Sequence, residues 1–139
     1  MFINNFIDYL LSVTAITDIC STRIKYKKIA QNSDNPYIII SRVSGFYDQE
    51  LDGDSDFTKL TLSIKCYADS YLVAEQLFEA VRLNLDGYQQ ALIGTFWINS
   101  VKLVDDFDSE EDPVDADQEY LEIREGIYDI SFPIANPVT

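Results

Sequence analysis

Residues 36–87 read PYIIISRVSGFYDQELDGDSDFTKLTLSIKCYADSYLVAEQLFEAVRLNLDG, and the order of parts within them decides the fold. Asn35 precedes a proline, which pushes it away from helical geometry, so an extended segment is expected to begin here. Tyr37–Val43 holds three consecutive isoleucines, the pattern of a strand covered on both faces. Asp48–Asp56 is acidic and rich in turn formers. Leu60, Leu62, Ile64 and Cys66 then alternate with Thr61, Ser63 and Lys65, which predicts a strand with one apolar and one wet face. Asp69 or Ser70 can cap the helix that follows. On that helix Val73, Leu77, Val81 and Leu85 recur every four residues, and Gly87 sits where a helix ends in a left-handed residue. Strand, acidic loop, strand, helix is the reading, with almost nothing in the block that does chemistry.

The flanks extend this pattern. Phe2, Phe6, Tyr9, Leu10 and Val13 share one face of a predicted helix over Phe2–Val13, and Thr14–Cys20 adds a short second helical segment. Arg23–Ile29 alternates and predicts a short, partly exposed strand whose lysines discourage unwanted edge pairing. Phe96–Val104 alternates with a change of parity near Ser100, the mark of a bulge or of two covered faces. Tyr120–Phe132 is the last predicted strand, with a kink expected at Gly126. Strands divided by a few helices give an α+β domain: a mostly antiparallel sheet of four to five strands with two main helices on one face. The 139 residues make a single domain, 1–139, with an acidic loop over 105–119 and a short C-terminal tail, 133–139.

Charge is the second strong signal. The chain carries 24 acids and 10 bases, a net charge of −14. Nine of the acids fall between Asp105 and Glu119, with no base among them, while four of the ten bases crowd into Arg23, Lys25, Lys27 and Lys28. The plain reading of both runs is solvated surface. The sharper reading makes them complementary patches on neighbouring copies of one chain, a head-to-tail contact that closes into a ring when the rotation permits. DNA-groove recognition needs a dominant basic face, which this chain lacks.

Chemistry is sparse. There is no histidine, which removes imidazole bases and most zinc sites. Cys20 and Cys66 are expected to be reduced and buried, although spacing alone does not exclude a disulfide. Asp48–Lys59 imitates a calcium loop with Gly53 sixth, but the twelfth position is Lys59 where a bidentate glutamate is required. Asp105 and Asp106 as an acid/base pair would need distinct environments in a pocket, and a polar run supplies one shared wet environment. No catalytic, cofactor-binding or metal-binding residue is therefore assigned. No apolar run approaches the ~18 residues of a membrane span. The N-terminal stretch lacks the basic start and uninterrupted apolar core of a signal peptide, so the chain is expected to stay in a cytosol.

The whole pattern resembles the tail-terminator, or tail-completion, family of minor tail proteins in long-tailed bacteriophages and prophages. The residues that carry the resemblance are PYIIISRVSG at 36–45, LDG at 51–53 and LTLSIKCYADSYLVAEQLFEAVRLNLDG at 60–87. INSVKLVDDFDSEEDP at 98–113 and EYLEIREGIYDISFPI at 119–134 add to them. The density of acids over 105–119 and the RIKYKK stretch at 23–28 depart from it. The resemblance implies a non-enzymatic subunit, without cofactor, that assembles into a ring, typically a hexamer. The ring would cap the tail tube, end its polymerisation and offer a surface to head-neck connector proteins, with DNA only passing through. It would be assembled in the bacterial host cytoplasm and reside in the tail-neck region of the virion. On this reading Asp105, Asp106, Asp108, Glu110, Glu111 and Asp112 line or rim the channel, and Arg23, Lys25, Lys27 and Lys28 meet an acidic surface of the adjacent subunit. The alternatives are a head-neck connector or other minor virion protein, a small acidic enzyme or ligand-binding domain, and an acidic mimic of DNA.

Overall fold

The computed structural model describes residues 2–28, 34–47, 57–111 and 121–132. The chain runs α1 (Phe2–Leu11), α2 (Thr14–Cys20), β1 (Ile24–Tyr26), β2 (Tyr37–Tyr47), β3 (Phe57–Ala68), α3 (Tyr71–Leu85), β4 (Gln89–Ile93), β5 (Phe96–Glu111) and β6 (Leu121–Ser131). The six strands form one sheet in the order β1-β2-β3-β6-β5-β4. Every neighbouring pair is antiparallel except β1 and β2. The α+β class and the antiparallel character are as expected, while the sheet has six strands rather than four or five. The additional strand is β4, whose sequence QQALI is too short and polar to announce itself.

One face of the sheet carries the core. Leu60, Leu62, Ile64 and Cys66 of β3 are fully or almost fully buried, as their alternation required. Ile38 and Ile40 of β2 and Tyr128 and Ile130 of β6 lie beside them. Phe2, Phe6 and Leu10 of α1, Ile16 and Cys20 of α2, and Leu77, Phe78, Val81 and Leu85 of α3 close over the same cluster. Each such apolar side chain contributes about 1.5–3 kcal/mol by leaving water. At the N-terminal end Phe2 meets Phe96 and Phe132 edge-on, with centroids 5.4 and 5.0 Å away. Ser70 caps α3, its hydroxyl accepting from the Val73 N–H at 3.3 Å. The helix ends as read: Gly87 takes φ 86°, and its N–H turns to the Val101 carbonyl, setting the chain alongside β5 as it enters β4.

No helix among the described residues covers the opposite face. A small cluster of Tyr37, Tyr67 and Ile123, edged by Ile39 and Leu121, sits there, with the two tyrosine rings stacked at 4.7 Å. Farther along, Thr61 donates to Asp129 at 2.7 Å, Lys59 bridges Asp129 at 3.1 Å, and the Ser63 hydroxyl donates to Glu125.

Three expectations about the later strands are corrected. The acidic loop expected to start at residue 105 is strand as far as Glu111, paired with β6 down to Glu111 opposite Leu121. Propensity and charge argue against a strand there, but cross-strand pairing overrides them. No break in register marks Gly126: β6 pairs continuously with β3 from Lys59–Ser131 to Ala68–Glu122. A Cβ at Gly126 would stand 2.9 Å from the Phe78 ring and 2.8 Å from Tyr128, so this glycine makes room for packing rather than for a bend. Finally, Ile98 and Val101 both reach the core, so the phase does change around Ser100, yet the break in register with β6 lies farther on, between Leu103 and Asp105. Phe2–Val13, read as one helix, stops at Leu11, and Val13 takes extended geometry ahead of α2. The stretch 48–56 of the calcium-like segment, the whole acidic run beyond Glu111 and the tail 133–139 lie outside the described residues.

Candidate functional site

The charged runs occupy opposite margins of the sheet. Asp105, Asp106, Asp108 and Glu110 are exposed along the second half of β5. Glu111 is its last residue, and Asp112 lies outside the described residues. Lys25, Lys27 and Lys28 are exposed at β1. Arg23 is not free in the same way: it is half-buried, and its Nε donates to the Pro36 carbonyl at 2.9 Å, tying the start of β1 to the start of β2. Lys27 takes φ 67°, sends its N–H to the Ile40 carbonyl at 2.7 Å and holds its ammonium 5.7 Å from the Tyr26 ring. The acids and bases do not meet within one chain, because β2, β3 and β6 stand between β1 and β5.

The register break in β5 sorts its acids by face. Leu103 opposes Tyr128, whereas Asp105 opposes Ile127, so Val104 is the extra residue of a bulge. Without it Asp106 would fall opposite Glu125, a like-charge pair. With it Asp106 opposes Gly126 and Asp108 opposes Arg124, on the helix side of the sheet. Asp105 and Phe107 turn to the helix-free side.

Arg124 gathers this helix-side group. It is the sole base after Lys102 in the chain. Its Nη1 lies 2.7 Å from Asp106, its Nε 2.7 Å from Glu75 on α3 and 3.3 Å from Asp108. The guanidinium also stacks 4.1 Å from the Phe78 ring centroid. Burial opposes its charge, but the hydrogen-bonding carboxylates of Glu75 and Asp106 outweigh that and raise its pKa. One cation thus holds three carboxylates and fastens α3 to the β5–β6 ribbon. Sequence reasoning missed Arg124; its isolation downstream of so many acids was the available signal. Asp105 and Glu110 make no ion pair among the described residues.

The margins themselves are open. β4 pairs with β5 only from Phe96 to Ser100. Just beyond, the Val101 N–H donates to the Tyr88 carbonyl and the Leu103 N–H to the Asp86 carboxylate. From Val104 to Glu111 no described strand covers that side of β5, and Val104 and Phe107 are exposed there. On the other margin β1 pairs only with Ile38–Ile40, leaving the side of β2 beyond Ile40 uncovered among the described residues.

Cys20 and Cys66 are buried and unbridged. Burial pushes the Cys20 thiol up to about 11, and that of Cys66 farther still. They are structural thiols in a dry core. No helix among the described residues is long and apolar enough to cross a membrane.

No family model matches the chain, and no curated protein matches it. Among solved structures, the fold is similar to that of a chain from the virion of a native gene transfer agent (GTA) particle. The two share 10% sequence identity at a TM-score of 0.60, over 91% of this chain and 92% of that one.

Proposed function

We propose that this chain is a tail-terminator subunit of a phage-like particle. About six copies form a ring that caps the tail tube, ends its growth and presents a surface to the head-neck connector proteins. The role is structural and needs neither catalysis nor a cofactor. The observation that carries the reading is the shared fold with a virion chain, which spans nearly the whole of both chains. It agrees with the resemblance carried by residues 36–87.

The placement of charge supports the same reading. The sheet has two open margins of opposite sign, which suits a subunit that repeats head to tail. The acids at Asp105, Asp106, Asp108 and Glu110, continued in sequence by Glu111 and Asp112, suit the rim of a channel through which DNA passes without sticking. The tail-tube protein, the neck proteins and other copies of this chain are the partners. The protein acts in the tail-neck region of the virion after assembly in the host cytoplasm.

Purified protein added to polymerising tail tubes tests the proposal. Tubes stopped short, with the protein at one end, support termination. Tubes of unchanged length, with the protein bound instead to isolated neck complexes, would transfer the role to a head-neck connector.

A further inference from the structure

The registers of the sheet place its two charged margins at the same level. Reading straight across the strands, Ile24 aligns with Ile38, Cys66, Arg124 and Asp108. Lys25 aligns with Ile39, Lys65, Glu125 and Phe107, and Tyr26 with Ile40, Ile64, Gly126 and Asp106. The short strand β1 therefore stands level with the stretch of β5 that β4 leaves bare. The steps also interlock: β1 projects at the end of the sheet where the opposite margin is recessed, and β4 projects at the other end, alongside Phe96–Ser100, near the uncovered side of β2.

Strand direction agrees. β1 runs parallel to β2, and three antiparallel pairings then lead to β5, so β5 runs opposite to β1. A second copy set alongside in the same orientation brings its β5 antiparallel to this copy's β1, without inversion. Arg23 C=O and Lys27 N–H point to β2, so Ile24 and Tyr26 point away from it. Local turns use the Ile24 N–H and the Tyr26 C=O, which leaves the Ile24 C=O and the Tyr26 N–H for a partner strand.

We infer that copies of this chain join edge to edge, with Ile24–Lys28 of one copy lying antiparallel against Val104–Asp108 of the next and continuing the sheet. This inference rests on the reading of the chain as a ring-forming subunit, and it names the contact that builds the ring. In this register Lys27 falls beside Asp105 and Lys25 beside Phe107 on the same side of the sheet, while Glu110 extends the acidic margin past Ile24. Asp105 and Glu110 have no ion-pair partner of their own among the described residues. Two acidic margins repel one another, as do two basic ones, so only head-to-tail order is favoured. An uncovered strand edge bearing exposed Val104 and Phe107 is otherwise a liability for irregular pairing. Glu111 and the acids that follow it in sequence are not used by this contact and remain for the channel rim.

Two variants test the contact: K25E/K27E/K28E, acidic on both margins, and D105K/E110K, basic on both, with Asp106 and Asp108 left to Arg124. Native mass is measured for each alone and for their equimolar mixture, with circular dichroism to verify that each is folded. Each variant alone is expected to self-associate about tenfold or more weakly than the wild type. The mixture is expected to recover assembly, since every margin then finds its complement. Hydrogen exchange on the wild type should slow on assembly at 24–28 and 104–108. Rings that form equally well from either variant alone, or a mixture of folded variants that stays apart, overturn the edge contact and leave the ring itself standing. A wild type that remains monomeric at every concentration also overturns the contact between free copies. Termination would then be judged separately, by tube length.

Discussion

Arg124 and Asp106 meet at 2.7 Å across β6 and β5 because one residue, Val104, is looped out of the ladder between Leu103 and Asp105. That single bulge turns Asp106 and Asp108 to the side of the sheet where α3 supplies Glu75 and Phe78. The acidic half of β5 is held as a strand by a cation on its neighbour, and a strand rather than a loop is what gives the sheet an open margin.

Replacing Arg124 with methionine leaves Glu75, Asp106 and Asp108 close together without a counter-charge. The carboxylates are partly exposed, so the expected loss is about 1–3 kcal/mol, below that of a fully buried pair. Urea denaturation measures it. The deficit should shrink in high salt, where the repulsion among the three carboxylates is screened. A loss that is unchanged by salt would mean that stacking on Phe78 dominates.

Gly126→Ala should cost about 1–3 kcal/mol, because the added methyl overlaps the Phe78 and Tyr128 rings in a filled core. Gly126→Ala combined with Phe78→Leu should recover part of that loss, as the smaller side chain vacates the space. Thermal denaturation of the two variants reads out both effects. No recovery would indicate that the glycine is needed for the strand backbone instead.

The buried thiols give a pH dependence of known sign. The ordinary cysteine value is near 9, and burial lifts Cys20 to about 11. Cys66 and the Tyr128 phenol shift in the same direction for the same reason. The native state therefore keeps protons that the unfolded chain releases, so this contribution is intact below pH 9 and is lost as pH rises through 11. The urea midpoint should fall between pH 8 and pH 10.5. At pH 8 native protein should react with a thiol reagent far more slowly than denatured protein, because little thiolate is present and access is blocked. Fast reaction of either cysteine in the native state would place it outside the core.

Much of this was legible in the sequence wherever side-chain periodicity reports burial directly. The Leu60–Cys66 alternation, the four-residue spacing of Val73–Leu85, the Ser70 cap and the left-handed Gly87 each encode their own neighbourhood. The acidic half of β5 was not legible, because its stabilising partner, Arg124, lies past the acidic run and Glu75 lies on a helix before it. Short-range polarity therefore pointed to a loop. Gly126 misled for a related reason: its requirement comes from Phe78, far away in the chain, and not from its own backbone. β4 escaped because five residues with two glutamines carry too little pattern. The surfaces at Arg23–Lys28 and Asp105–Glu110 were visible as charge, but their shared level in the sheet emerges only from the strand registers.

The proposed role of the protein is to end tail growth. The most direct measurement is electron microscopy of particles from producing cells with and without the gene. Overlong, headless tubes are expected in its absence, and tubes of uniform length joined to heads when the gene is restored. Tubes of normal length in its absence would contradict that role.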